Sequence, residues 1–349
     1  MVTLGIDAHK RSHTVVAVDH LGRKLGEITT KKTTSEQHAR LRVWADQFGP
    51  ERVWAVEDCR HLSRLLERDL LRAGELVRRV PPKLMANTRN SARTYGKSDP
   101  IDALAVARAA LTHPDLPTAR LDGPSRELRL LVDHRDNLVA QRTKVINRLR
   151  WHLHELDPAW DPAAGVLTRF KRLDEIAQRL ARFDGPVARI AAELVEDCRS
   201  LTRRAKDLER EITTLVTQLA PNLLEIPGVA GLTAAKIVGE TADIARFHSK
   251  DAYARHNGTA PLPVWSSNHP RHRLSRIGNR QLNAAIHRIA VTQLRCHQPA
   301  RDYRDRRLAM GNTNKEAIRA LKRRLSDVVY RALTADAAIT STTTSSLAA

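Results

Sequence analysis

Residues 1–10 read MVTLGIDAHK, and the stretch that decides the fold begins here. Val2, Leu4 and Ile6 alternate with smaller residues, the period-2 pattern of a strand, and Asp7 closes the run. Working outward, HTVVAVD (13–19) is a second strand, His20-Leu21-Gly22 a turn, and RKLGEITT (23–30) a third strand. Three short strands joined by turns predict an antiparallel meander. Residues 34–47 have helical character, and RVWAV (52–56) predicts a fourth strand ending at Glu57. A helix over 61–73 follows, then a short strand over 75–80 stopped by Pro81-Pro82. Two helical stretches, about 83–92 and 100–113, complete the unit.

Three strands, helix, strand, helix, strand and helices is the order of a ribonuclease-H-like α/β fold. Beyond it, 116–220 predicts a mainly helical connector. Charged and aliphatic residues recur there at helical spacing over 126–156 and 186–219, and Pro158, Pro162 and Gly185-Pro186 punctuate it. Long antiparallel helices fit, either as a coiled coil or as a plain bundle. Residues 221–335 predict a second compact unit, mostly helical. The tail DAAITSTTTSSLAA (336–349) has the low complexity of a disordered segment. The expected domains are therefore 1–115, 116–220, 221–335 and the tail.

Four carboxylates sit where such a fold could gather them. Asp7 ends the first strand and Glu57 the fourth, while Asp99 and Asp102 lie in KSDPIDA at a helix start. Ser98 or Asp99 can cap that helix and Pro100 opens it. A three-residue spacing sets Asp99 and Asp102 on one face. Hard oxygen ligands without a cysteine shell suit Mg2+ or Mn2+. Two such ions can stabilise the attacking and leaving oxygens of a phosphodiester. Taken singly, each acid is also a plausible strand end, helix cap or solvated side chain. Their combination, in this order on a basic chain, is what points to a site.

The charge narrows the partner. The 349-residue chain carries 59 Lys and Arg against 39 Asp and Glu, a net charge of +20 that attracts polyanions. Twelve of those charges fall between residues 270 and 325, so this end is the expected DNA grip. Cys59, Cys198 and Cys296 are too scattered for a zinc site or a disulfide framework, which fits an intracellular protein. The N-terminus enters a strand at once, unlike a signal peptide, and no apolar run is long enough to span a membrane.

Two further segments carry chemistry. EIPGVAGLTAAKIVGE (225–240) has the form of a helix-hairpin-helix, which grips phosphates through turn amides and a helix N-terminus, with Lys236 beside it. An ordinary tight turn reads the same way. In GTAPLPVWSSNHPRHRLSRIGNRQLN (258–283), Pro261, Pro263 and Pro270 predict a loop holding Ser266 and Ser267. Arg271, Arg273, Arg276 and Arg280 follow it. A serine among guanidinium groups can attack a phosphate or merely bind one.

Together, GIDAHK, AVEDC, KSDPIDA, IPGVAGLTAAKIVGE and APLPVWSSNHPRHRLSRIGN resemble the DEDD transposases of bacterial insertion sequences, the insertion sequence one-ten family. The resemblance runs from Gly5 to about Leu325. It implies a RuvC-like N-terminal domain, a coiled-coil connector and a C-terminal transposase domain. It implies that Asp7, Glu57, Asp99 and Asp102 are the four catalytic, metal-binding acids and that Ser266 is a nucleophile joined covalently to DNA. Ser267 stands where family members usually carry glycine. It further implies a structured guide (bridge) RNA pairing with donor and target DNA. Finally, it implies an oligomer, a dimer or a tetramer, in which acids of one subunit meet the serine of another, acting in the bacterial cytoplasm at the nucleoid. Two rival readings are a RuvC-like nuclease using metal-activated water alone and a non-catalytic nucleic-acid-binding protein.

Overall fold

The computed structural model describes residues 1–57, 62–91, 98–114, 116, 118–119, 123–266, 269–273 and 278–347. The chain divides into two compact units, Met1–Asp122 and Gly123–Ala349.

The first unit is built on a mixed five-stranded sheet. In chain order it contains β1 (Val2–Ala8), β2 (His13–Val18), β3 (Lys24–Thr29), α1 (Ser35–Asp46), β4 (Arg52–Glu57), α2 (Arg64–Arg72), β5 (Val77–Val80), α3 (Pro82–Ser91) and α4 (Asp99–Thr112). The strand order is β3-β2-β1-β4-β5. β1, β2 and β3 form the expected antiparallel meander, and β4 and β5 add in parallel to β1. This is the ribonuclease-H-like arrangement predicted from the element order.

Alternation along each strand sorts the two faces of the sheet. Leu4, Ile6, Val15, Ala17, Trp54 and Val56 pack with Leu41 and Ala45 of α1 and with Leu66 and Leu70 of α2. The opposite face is covered by α3 and α4. There Ala55 and Val80 meet Met85, Ala105 and Val106, and Val16 and Val18 meet Ala103 and Ala107. The alanine-rich face of α4 allows an unusually close approach. A methyl group placed at Gly5 would lie 2.2 Å from the Ala103 carbonyl oxygen and 2.4 Å from the Ala107 nitrogen. Glycine at position 5 is thus what lets α4 lie directly on β1.

The second unit is mainly helical. It comprises α5 (Pro124–Leu156), α6 (Phe170–Leu180), α7 (Pro186–Leu219), α8 (Pro221–Leu224), α9 (Gly231–Thr241) and α10 (Lys250–His256). Then come β6 (Leu262–Ser266), β7 (His269–Arg273), α11 (Arg280–Cys296), α12 (Gln298–Ala309) and α13 (Asn314–Leu347). α5 and α7 run antiparallel and serve two separate apolar clusters. Near the α5 start, Leu128 and Val132 join Ile212 and Val216 of α7 in one core with α9, α11 and α13. Towards the α5 end, Ile146, Leu149 and Leu153 pack with Leu173, Ile176, Leu194, Val195 and Cys198. The helices expected as the 116–220 connector therefore share a core with the unit expected over 221–335.

Two local features differ from expectation. Ser266, expected on a proline-held loop, instead ends a paired strand. β6 and β7 pair antiparallel, with Pro263 opposite His272 and Ser266 opposite His269. An isolated two-stranded ribbon has only edge strands, which tolerate proline because each strand's outer N–H groups need no partner. At the other end, α13 continues to Leu347, through most of the tail read as disordered. Asp336 anchors it: the carboxylate, only 3% exposed, accepts hydrogen bonds from the Asn222 backbone N–H and amide and from the Leu223 N–H. No helix among the described residues is long and apolar enough to cross a membrane.

Candidate active site

The close packing of α4 on β1 builds the site. Gly5 and Asp7 share one face of β1, and Ala103 and Ala107 of α4 lie over Gly5. Two strand residues advance about 6.6 Å and one helical turn about 5.4 Å, so the two elements keep nearly in step. Moving from Gly5 to Asp7 therefore corresponds to moving one turn towards the start of α4, where Asp102 and Asp99 stand. On the other side, β1 and β4 pair in parallel up to Ile6 opposite Val56. Continuing that register by one residue sets Asp7 beside Glu57, on the face shared with Ala55.

The electrostatics agree with this convergence. Asp7 is 5% exposed. Burial pushes its carboxyl above the ordinary range, and the nearby Asp102 and Asp99 charges act in the same direction against His9. Burial likewise raises Glu57, helped by Asp7 and Asp102 and opposed by His9 and Arg89. Carboxylates that hinder one another's ionisation in this way are stabilised when a cation joins them.

Two further side chains complete the constellation. The His9 Nε2 lies 3.0 Å from Asp7 Oδ2 and 3.3 Å from Asp99 Oδ1. Asp102 Oδ1 accepts a hydrogen bond from Arg89 Nη1 at 2.9 Å. Neither His9 nor Arg89 stood out in the sequence. His9 had a signal, since it lies two residues beyond Asp7 and continues the strand alternation. Arg89 had none, because only the packing of α3 on α4 brings it to Asp102. Potential donor atoms of Asp7, His9 and Asp99 all lie within 4.8 Å of one another. An oxygen-rich set of this kind fits a divalent cation.

The second unit distributes the remaining expected residues. Ser266 is the last residue of β6, and Arg271 and Arg273 lie on β7. Arg280 is exposed and opens α11, directly after the Asn279 cap, whose side chain accepts from the Gln281 and Leu282 N–H groups. Ser267 and Arg276 lie outside the described residues. Lys236, expected beside a phosphate-gripping turn, is instead only 9% exposed. Its ammonium lies 3.2 Å from Asp133 and 2.9 Å from Asp136 of α5, so its charge is matched within the protein. The hairpin before it is packed inward as well: Ile226 and Val229 belong to the main core, and Gly228 abuts α11 at Thr292 and Ile289.

Two family models match the chain. One, described as "Transposase" of the DEDD IS110 type, covers residues 4–158, and the other, "Transposase IS116/IS110/IS902 family", covers residues 220–305. Between them they span more than two thirds of the sequence. The chain belongs to the IS110/IS116 family of DEDD transposases. Among curated relatives, this transposase is 29% identical to the insertion element IS116 44.8 kDa protein of Streptomyces clavuligerus, over 95% of this chain and 94% of the relative. It is 25% identical to the insertion element IS900 42 kDa protein of Mycobacterium paratuberculosis, over 95% of each. The transposase for insertion sequence element IS1328 of Yersinia enterocolitica is 24% identical over 74% of this chain and 73% of the relative. Among solved structures, RuvC of T. thermophilus in complex with a Holliday junction substrate aligns at 20% identity, with a TM-score of 0.27, over 33% of this chain and 94% of that one. As a transposase, the protein is an enzyme acting on DNA.

Proposed function

We propose that this transposase is an RNA-guided DNA recombinase that excises and inserts its own mobile element with a serine nucleophile. The observation that carries the reading is the convergence of Asp7, Glu57, Asp99 and Asp102 from β1, β4 and α4 on one point. These acids would hold Mg2+ or Mn2+, which when bound would polarise the scissile phosphate and offset the charge that grows on it. The Ser266 hydroxyl attacks phosphorus. A bond forms from Oγ to phosphorus as one phosphorus–oxygen bond to deoxyribose breaks, and the serine proton ends on the departing sugar oxygen. The phosphodiester count is conserved, so a sugar hydroxyl of a second strand can reverse the step and rejoin DNA. Arg271, Arg273, Arg276 and Arg280 balance the phosphate charge. A structured guide RNA pairs with donor and target DNA. The protein acts as a dimer or tetramer in which acids of one copy serve the serine of another.

The test is adduct trapping. Protein, its element's RNA, Mg2+ and labelled donor and target DNA are incubated and then denatured. A labelled protein–DNA adduct that maps to Ser266 and vanishes in Ser266→Ala is the expected result. Cleaved DNA with no adduct overturns the serine chemistry in favour of metal-activated water. Binding with no cleavage at all overturns the recombinase reading and leaves a nucleic-acid-binding protein.

A further inference from the structure

We propose that His9 is itself a ligand of the divalent ion, so that one cation seat is formed by Asp7, His9 and Asp99 and not by carboxylates alone. The inference rests on the metal-dependent reading above and adds a nitrogen donor to it.

The geometry of a single ring atom carries the argument. Nε2 of His9 stands 3.0 Å from an Asp7 oxygen and 3.3 Å from an Asp99 oxygen at the same time. One N–H points along one direction and cannot align well with both acceptors. A cation held jointly by the ring nitrogen and the two oxygens satisfies all three, and donor atoms within 4.8 Å of one another leave room for it. The backbone prepares this pose. The His9 N–H donates to the Ser12 carbonyl at 3.0 Å, closing the turn between β1 and β2. That turn keeps His9 on the face of β1 that carries Gly5 and Asp7.

Asp102 supplies a second, independent observation. Its Oδ1 is engaged by Arg89 at 2.9 Å, so the acid set is not equivalent. Among the described residues, Asp102 is charge-balanced by a guanidinium, whereas Asp7 and Asp99 share an imidazole nitrogen. That nitrogen changes which ion the site favours. Carboxylate and water suit Mg2+, Ca2+ and Mn2+ alike, whereas imidazole raises affinity for first-row transition ions. The Asp7–His9–Asp99 seat therefore prefers Mn2+ over Mg2+ more strongly than an all-carboxylate seat would.

The test uses the full-length protein and Mn2+ as the probe. Bound Mn2+ is examined by pulsed electron paramagnetic resonance for coupling to a directly bonded 14N, and affinities are measured by calorimetry. Wild type is expected to show the nitrogen coupling, and His9→Gln to lose it. The variant's Mn2+ affinity should fall about tenfold, the scale on which losing metal-site support acts, and its Mg2+ affinity should fall less. The His9 side chain is half exposed, so the variant is expected to keep the wild-type melting temperature. Asp7→Asn serves as the loss-of-site control. Mn2+ bound with the same echo modulation in wild type and His9→Gln overturns this inference alone. No Mn2+ bound by wild type, or undiminished binding in Asp7→Asn, overturns it together with the four-acid reading.

Discussion

Replacing Gly5 with alanine tests whether the closeness of α4 to β1 builds the active site. The new methyl would stand 2.2 Å from the Ala103 carbonyl oxygen, and ordinary contact begins at 3.4 Å. The obstruction is helix backbone, not a flexible side chain, so α4 must lift by about 1 Å. Overpacking of this kind costs about 1–3 kcal/mol, and a unit of this size loses roughly 3–5 °C of melting temperature per kcal/mol. The catalytic effect is separate from the stability loss. Asp99 and Asp102 ride on α4 while Asp7 stays on β1, so the lift parts the acids, and a misplacement of about 1 Å costs on the order of 10²-fold in rate. Gly5→Ala should therefore melt about 5–10 °C lower by scanning calorimetry and bind Mn2+ more weakly. Below its melting temperature it should still recombine about 100-fold more slowly. A variant that melts within 2 °C of wild type and keeps its Mn2+ affinity would refute the reasoning.

Lys236→Gln should leave DNA affinity and its salt dependence unchanged, because Asp133 and Asp136 already hold that charge. It should lower stability by about 1–2 kcal/mol, discounted for the partial exposure of both aspartates. A salt slope reduced by about one unit would instead reveal a phosphate contact. His256 makes stability pH-dependent: burial, then the Arg246 guanidinium, pushes it down to about 3. The unfolded histidine takes its proton near pH 6.5, before the folded one does. The contribution of His256 is thus complete above that pH and is lost as pH falls from there towards about 3. Between pH 7.5 and 5 it weakens by about 2 kcal/mol, and urea midpoints should drop more steeply in wild type than in His256→Gln. Equal slopes would count against it.

Where the sequence was most legible, one physical rule decided one element. The alternation of Val2, Leu4 and Ile6 placed β1, and the same rule placed Asp7 and Glu57 at strand ends. Pro100 marked the start of α4 and with it the position of Asp102. What escaped depends on partners far apart in the chain. Arg89 meets Asp102 only because α3 packs on α4. Lys236 looked like a surface cation until α5 supplied two aspartates about a hundred residues upstream. The prolines around Ser266 argued for a loop, and a ribbon of two edge strands is what lets β6 run to Ser266 despite them. The tail's composition argued against order, yet the Asp336 carboxylate ties its beginning to the Asn222 turn.

The two apolar clusters strung along α5 and α7 make the length of that antiparallel pair an independent variable. Between them the helices are joined by a short stretch: Leu138 and Arg142 on one, Thr202 and Ala205 on the other, with the Arg142 guanidinium donating to the Thr202 hydroxyl. Seven residues inserted there in both helices would advance each by two turns and rotate it by only about 20°. Both clusters would keep their partners, while the tip moved about 10 Å farther from the serine hairpin. Reach and folding are in this way uncoupled, so the arm can be lengthened without redesigning either end.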